Sequence, residues 1–307
     1  MKTKEADFIW FDGKIVKWEE ALVPVTTHAL HYGTGVFEGI RGYYANDNLF
    51  IFRLREHVER LFRSASLYSI KINHTVDEII DGIVNIIREN KIKESCYIRP
   101  LVFVGNHGID LNLTEASPTH VVIIVFPFAR YFHGEGLNVC VSSWRRINDS
   151  ATPPLAKASG NYLNSILATQ ECKRNGYDEA IMLDYLGNVS EAPGENIFVI
   201  RNNMINTPDL ASSTLEGITR DTIIQISNKL GYKVVERPIS RTELYLADEI
   251  FLTGTAAEIT GVISVDKKNV SKGFEGNITK KIRETYTMIV SGEYEDAEFQ
   301  RWLTKVW

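Results

Sequence analysis

Two tight-turn signals stand ahead of the first long helical pattern of this chain, and they constrain its fold more than any other feature. Asp12-Gly13 separates Phe8–Trp10 from Lys14–Trp18, and Asn46-Asp47-Asn48 separates Tyr43-Tyr44 from Leu49–Phe52. Short polar turns between apolar runs predict antiparallel hairpins. Two helices then follow in succession: Leu54, Val58, Leu61, Phe62 and Ala65 recur at helical spacing, and Ile79, Ile80, Ile83, Ile86 and Ile87 repeat the pattern within 76–90. Tyr97–Val104 and His120–Phe126 predict buried strands, the second a nearly unbroken Val/Ile run. Strands grouped with helices, without regular alternation, predict an α+β fold and not a doubly wound sheet.

A length of 307 residues with 44% hydrophobic content suffices for two domains with sizeable cores. Pro127, Arg130, Gly134 and Gly136 interrupt the pattern, so a small N-terminal α+β domain is expected over 1–127, a linker over 128–137 and a larger α+β domain over 138–307. In that second stretch Leu137–Trp144 predicts a strand, about 160–174 a helix, Ala180–Asp184 and Asn196–Ile200 two short strands, and Gly217–Leu230 a helix stopped by Gly231.

Net charge of -5 spread over a balanced mix of acids and bases leaves no basic stripe, so nucleic acid is not an expected partner. The charged start and the short apolar runs signal neither export nor a membrane. Cys96, Cys140 and Cys172 are odd in number and lack metal-ligand spacing, which fits reduced thiols in a cytoplasmic protein and no metal.

Lys157 lies between Ala156 and Ala158 at the mouth of the 160–174 helix. A lysine among small neighbours can lose its proton when desolvated and leaves room for a ring, which suits Schiff-base chemistry. A surface loop lysine is the plainer alternative. Ser190-Glu191-Ala192-Pro193-Gly194-Glu195-Asn196 offers two carboxylates, one of which could pair with the ring nitrogen of a pyridine-type cofactor; a solvated turn is the alternative. Phosphate could be taken by the helix start in Leu215-Glu216-Gly217-Ile218-Thr219-Arg220-Asp221, or by the turn Thr253-Gly254-Thr255-Ala256-Ala257-Glu258. Ordinary capping by Thr219 explains the first segment equally well. Arg60 lies opposite the apolar stripe of its helix, where helical spacing alone expects a solvated side chain.

Taken together, these segments resemble the fold-type IV pyridoxal-phosphate enzymes (the D-amino acid aminotransferase-like fold), and specifically the branched-chain amino acid aminotransferases. The resemblance runs through His28-Ala29-Leu30-His31-Tyr32-Gly33, Val36-Phe37-Glu38-Gly39-Ile40-Arg41, Arg55-Glu56-His57 with Arg60-Leu61, Tyr97-Ile98-Arg99-Pro100 and Lys157 with Gly160-Asn161-Tyr162. It continues through Gly194-Glu195-Asn196, Gly217-Ile218-Thr219-Arg220-Asp221 and Gly254-Thr255-Ala256-Ala257-Glu258.

The resemblance implies two α+β domains with pyridoxal 5'-phosphate between them, bound covalently by Lys157 and paired at its ring nitrogen by Glu191. It implies Arg60, Ile218, Thr219 and Thr255 at the phosphate, with Tyr162 and Leu215 also on the cofactor. Phe37, Tyr162, Tyr32, Tyr131 and Phe128 are implied as walls for an aliphatic side chain, with Tyr97, Thr255, Ala256 and Ala257 near the α-carboxylate. Arg99 is implied to accept the second carboxylate of glutamate, aided by Tyr32 and Tyr131. Leu111 would reach in from a neighbouring subunit, which makes the protein a homodimer at least. The activity implied is ping-pong transfer of the amino group of leucine, isoleucine or valine to 2-oxoglutarate. Two alternatives are another enzyme of the same fold, acting on D-amino acids or on aminodeoxychorismate, and a cofactor-carrying binding protein without turnover.

Overall fold

The computed structural model describes residues 6–128, 132 and 136–307. Of the residues singled out above, Tyr131 lies outside the described residues, as does much of the expected 128–137 linker.

Both hairpin signals are realised. Strands β1 (Phe8–Phe11) and β2 (Lys14–Lys17) pair antiparallel from Phe8↔Lys17 to Phe11↔Lys14. The turn holds Asp12 at φ 47° and Gly13 at φ 87°, the two left-handed residues that a two-residue hairpin turn requires. After the short helix α1 (His28–Tyr32) and strand β3 (Gly35–Phe37), β4 (Ile40–Ala45) and β5 (Asn48–Phe52) form the second hairpin, with Asn46 at φ 50° and Asp47 at φ 57°. Helices α2 (Leu54–Leu67) and α3 (Val76–Glu89) come next. Thr75 starts α3 with a reciprocal cap: its hydroxyl accepts from the Glu78 N–H, and the Glu78 carboxylate accepts from the Thr75 N–H.

Strands β6 (Cys96–Val104) and β7 (Thr119–Pro127) pair antiparallel over their full length. With the C-terminal strand Leu303–Lys305 against β5, these strands make an eight-stranded sheet whose core joins Val36, Ile40, Ile98 and Val102 to Leu54, Val58, Leu61, Ile79, Ile83 and Ile86 of the two helices.

The second eight-stranded sheet is mixed. It comprises β8 (Leu137–Arg145), β9 (Glu179–Leu183), β10 (Asn196–Arg201), β11 (Met204–Thr207), β12 (Val234–Glu236), β13 (Glu249–Gly254), β14 (Glu258–Val265) and β15 (Lys268–Asn269). The β8–β9, β8–β14 and β11–β12 pairs are parallel and the rest antiparallel. Helix α4 (Tyr162–Arg174) packs on β8 and β9, and α5 (Ile218–Lys229) packs on β13. Gly231, at φ 82°, follows α5 as the expected left-handed stop.

The chain forms two compact units, and they are not the two contiguous stretches expected. The first gathers the described residues through Phe128 with Ala156–Gly160 and Met288–Trp307; the second holds the stretch ending at Leu155 and Asn161–Thr287. Lys157 therefore belongs to the first unit by packing. Ala158 bridges to Val36, the Phe37 N–H donates to the Lys157 carbonyl at 3.0 Å, and the Lys157 N–H donates to Ser64 Oγ at 3.0 Å.

Candidate active site

Alternation along β6 puts Tyr97 and Arg99 on one face while Ile98 faces the core. Tyr97 stacks on Phe126, its cross-strand partner, with ring centroids 5.6 Å apart, and Phe128 lies 5.3 Å from the same ring. Arg99 donates from Nη2 to the Tyr97 hydroxyl at 3.2 Å, and its guanidinium carbon is 4.6 Å from the Phe37 ring centroid. Lys157 Nζ also lies against that Phe37 ring, at 5.1 Å. The first unit thus brings Lys157, Phe37, Arg99, Tyr97 and Phe128 into one cluster, in which an amine and a guanidinium border aromatic walls. Arg41 joins it, 5.1 Å from the Phe128 ring.

Lys157 is half-buried between buried Ala156 and Ala158, not carried on a solvated loop. Beneath it runs a polar stripe on α2. His57, Arg60 and Ser64 are all buried, and Arg60 contradicts the solvated arginine expected from helical spacing. The reason is non-local: Glu38, fully buried after β3, accepts Arg60 Nε on Oε1 at 2.7 Å, and Arg60 Nη2 and His57 Nδ1 on Oε2 at 2.9 and 2.8 Å. Burial is the largest influence on Glu38 and would raise its pKa, but Arg60 and His57 together outweigh it and hold the carboxyl well below the usual range. Burial also pushes the His57 imidazole down, so the neutral ring donates to a carboxylate.

Tyr32 and Leu111 belong to the same unit. The Tyr32 hydroxyl donates to the Ile109 carbonyl at 3.3 Å, and Leu111 is 73% exposed on the loop between β6 and β7.

In the second unit Glu191 and Glu195 are both buried, which rules out the solvated turn. Glu191 accepts three N–H bonds: from Arg146 Nε at 2.7 Å, from Asn196 Nδ2 at 3.0 Å and from the Leu215 backbone at 3.0 Å. Asn196 Nδ2 also donates to the Leu215 carbonyl at 3.0 Å, tying the start of β10 to the approach to α5. Gly217 is the N-cap of α5, not Thr219, and a glycine brings no side-chain acceptor to the first-turn N–H groups of buried Ile218 and Thr219. A Cβ on Gly217 would meet Asn196 Oδ1 at 1.9 Å, so only glycine lets this helix start sit against Asn196. Thr255, Ala256 and Ala257 form the turn between β13 and β14, and Gly254 packs close to the Gly194 carbonyl. Tyr162 opens α4. Glu191, the α5 start and the Thr255 turn are therefore neighbours in one region of this unit.

A phosphorylated pyridine cofactor needs an amine that can bond its aldehyde, an acid for its ring nitrogen and donors for its phosphate. The first unit holds such an amine in half-buried Lys157. The second holds such an acid in buried Glu191, fixed by three donors, with the glycine-capped start of α5 near it. Sequence reasoning left out Glu38 and Arg146 as site residues. Glu38 lay within a matched motif, but nothing local marks Arg146 as the partner of an acid 45 residues away.

The family described as Amino-transferase class IV matches residues 35–265. The branched-chain-amino-acid aminotransferase of Escherichia coli (strain K12) is 46% identical over 300 residues, covering 96% of this chain and 97% of that relative. The crystal structure of the branched-chain aminotransferase of Thermoproteus uzoniensis with norvaline aligns with a TM-score of 0.94 at 45% identity, covering 98% of this chain and 100% of that one. The T.th. branched-chain amino acid aminotransferase complexed with N-(5'-phosphopyridoxyl)-L-glutamate aligns with a TM-score of 0.94 at 41% identity, covering 98% and 99%. The chain belongs to the class IV amino-transferases and, within them, to the branched-chain-amino-acid aminotransferases.

Proposed function

We propose that the protein is a pyridoxal 5'-phosphate enzyme that moves the amino group of leucine, isoleucine or valine to 2-oxoglutarate, with Lys157 as its catalytic residue. The observation that carries this reading is that Lys157 Nζ and the Arg99 guanidinium both lie against the ring of Phe37, at 5.1 and 4.6 Å from its centroid. An amine for chemistry and a cation for a substrate carboxylate share one aromatic wall. The phosphopyridoxyl-glutamate complex of the T.th. relative supports both the cofactor and a pocket that takes glutamate.

When bound, pyridoxal 5'-phosphate supplies an aldehyde carbon for amine exchange and a cationic ring that takes up the electrons released at the substrate α-carbon. Lys157 Nζ would hold the cofactor by a covalent bond to its aldehyde carbon. Once released, the same amine would serve as the base for the proton on the substrate α-carbon. Glu191 keeps the ring nitrogen protonated, with Arg146, Asn196 and the Leu215 N–H fixing the orientation of its carboxylate. Arg60, Ile218, Thr219 and Thr255 bind the phosphate, and Tyr162 and Leu215 complete the cofactor's surroundings.

Phe37, Tyr32, Phe128 and Tyr131 exclude water around an aliphatic side chain, while Tyr97, Thr255, Ala256 and Ala257 receive the α-carboxylate. Arg99 pairs with the second carboxylate of glutamate, and its stacking on Phe37 leaves hydrocarbon contacts for leucine. Leu111, exposed in the single chain, completes the pocket of a neighbouring copy in a homodimer.

Measuring 2-oxo acid release from a panel of amino acids with 2-oxoglutarate tests the reading. L-Leucine, L-isoleucine and L-valine are expected to turn over far faster than D-alanine. Faster turnover of D-alanine would overturn it in favour of a D-amino acid aminotransferase.

A further inference from the structure

An anion site gains no net charge from an acid placed against its arginine. Glu38 nevertheless sits fully buried on Arg60, and the two charges cancel. Stability does not explain the pair either, because buried ion pairs can often be replaced by well-packed apolar side chains without loss. What a buried carboxylate does supply is direction. Its two oxygens take Nε at 2.7 Å and Nη2 at 2.9 Å, a forked grip that fixes the plane of the guanidinium.

The grip is itself anchored. The Glu38 N–H donates to the Pro100 carbonyl at 2.9 Å, which ties its backbone to β6, and Oε2 also accepts from His57 Nδ1 and from the Gly39 N–H at 3.3 Å. Rigid sheet, acid and arginine thus form one chain of contacts. The same face of α2 carries Ser64, whose hydroxyl takes the Lys157 N–H, so Arg60 and Lys157 are held in register by one helix. An arginine side chain left to itself loses rotamer freedom when it is fixed on a ligand. Ordering it beforehand moves that cost from binding to folding.

We propose that Glu38 is a positioning residue for cofactor binding, orienting Arg60 toward the phosphate without touching the cofactor itself. The inference rests on the assignment of Arg60 to the phosphate. Its test uses two probes, pyridoxal 5'-phosphate and pyridoxal, which differ only in the group that Arg60 is assigned to bind.

Full-length protein stripped of cofactor is titrated with each probe. Glu38→Gln keeps the volume but turns an amide nitrogen toward the donors, and it is expected to raise the Kd for pyridoxal 5'-phosphate about tenfold, the effect of one charge-assisted bond. Pyridoxal is expected to bind as in the parent protein. In an Arg60→Ala background the same change is expected to add no further loss. Should Glu38→Gln not fold, Glu38→Asp carries the test, since it draws the carboxylate back by one methylene and is likewise expected to weaken the phosphorylated probe alone. Equal weakening of both probes, or of neither, overturns the inference. If Arg60→Ala itself leaves the preference for the phosphorylated probe intact, the phosphate role of Arg60 is wrong and the inference falls with it. If Arg60→Ala abolishes that preference while the Glu38 variant keeps it, only the role of Glu38 is overturned.

Discussion

Arg146 places its Nε 2.7 Å from Glu191 Oε1, an ion pair in which both side chains are buried. Together with Asn196 and the Leu215 N–H it surrounds Glu191 with donors. Glu191→Gln sets an amide nitrogen against at least one of these N–H groups. Thermal unfolding is expected to show a loss of about 1–3 kcal/mol, the cost of a buried polar group left without its partner. Single-turnover kinetics with leucine are expected to show a much slower proton shift, since a neutral ring is a poorer electron sink. Unchanged single-turnover rates would remove Glu191 from its assigned role.

Arg99 faces both an aromatic ring and the Tyr97 hydroxyl, so its loss affects the two substrates unequally. Arg99→Ala removes a carboxylate partner for glutamate, which is worth roughly tenfold or more, but only a contact for leucine. Steady-state kcat/KM measured separately for glutamate and leucine is expected to fall more for glutamate. Equal losses would mean that Arg99 is not the second-carboxylate site.

Gly39 leaves space that the pocket uses. A Cβ at this position would stand 1.9 Å from the Tyr97 hydroxyl oxygen and 2.8 Å from its ring carbon. Gly39→Ala must displace Tyr97 from its stacking on Phe126 and its bond to Arg99. Its kcat/KM for leucine is expected to drop by roughly tenfold or more, while circular dichroism retains the parent spectrum. A variant with parent kinetics would show that Tyr97 does not shape the substrate pocket.

What could be seen in the sequence was what its local chemistry dictates. Asp12-Gly13 and Asn46-Asp47 announce their turns because left-handed backbone is tolerated by few residues, and Thr75 with Glu78 closes a cap within one helical turn. Arg60 was illegible from spacing because its partner Glu38 lies between β3 and β4, 22 residues earlier. A helical projection registers apolar side chains, and a buried ion pair erases the contrast on which it depends. Lys157 was legible as a candidate from its small neighbours. Its packing with the first unit was not, because that follows from the Val36–Ala158 bridge and the Ser64 hydroxyl, pairings no local pattern encodes.

His57 makes stability depend on pH. Burial holds its folded pKa below the ordinary value of 6.5, so the unfolded chain binds the proton more tightly. Its contribution is complete above pH 6.5 and is lost as pH falls below that value toward the depressed folded pKa. His57→Gln is expected to lessen the fall in Tm between pH 7.5 and pH 5.5 relative to the parent protein. Parallel Tm profiles for the two proteins would contradict the burial of a neutral imidazole.

Reduction of the cofactor-loaded protein with borohydride, followed by digestion and peptide mass mapping, tests the central claim most directly. Reduction makes a Schiff base permanent, so the account expects the phosphopyridoxyl mass on the peptide carrying Lys157. The same mass on a peptide with a different lysine, or on none, would contradict it.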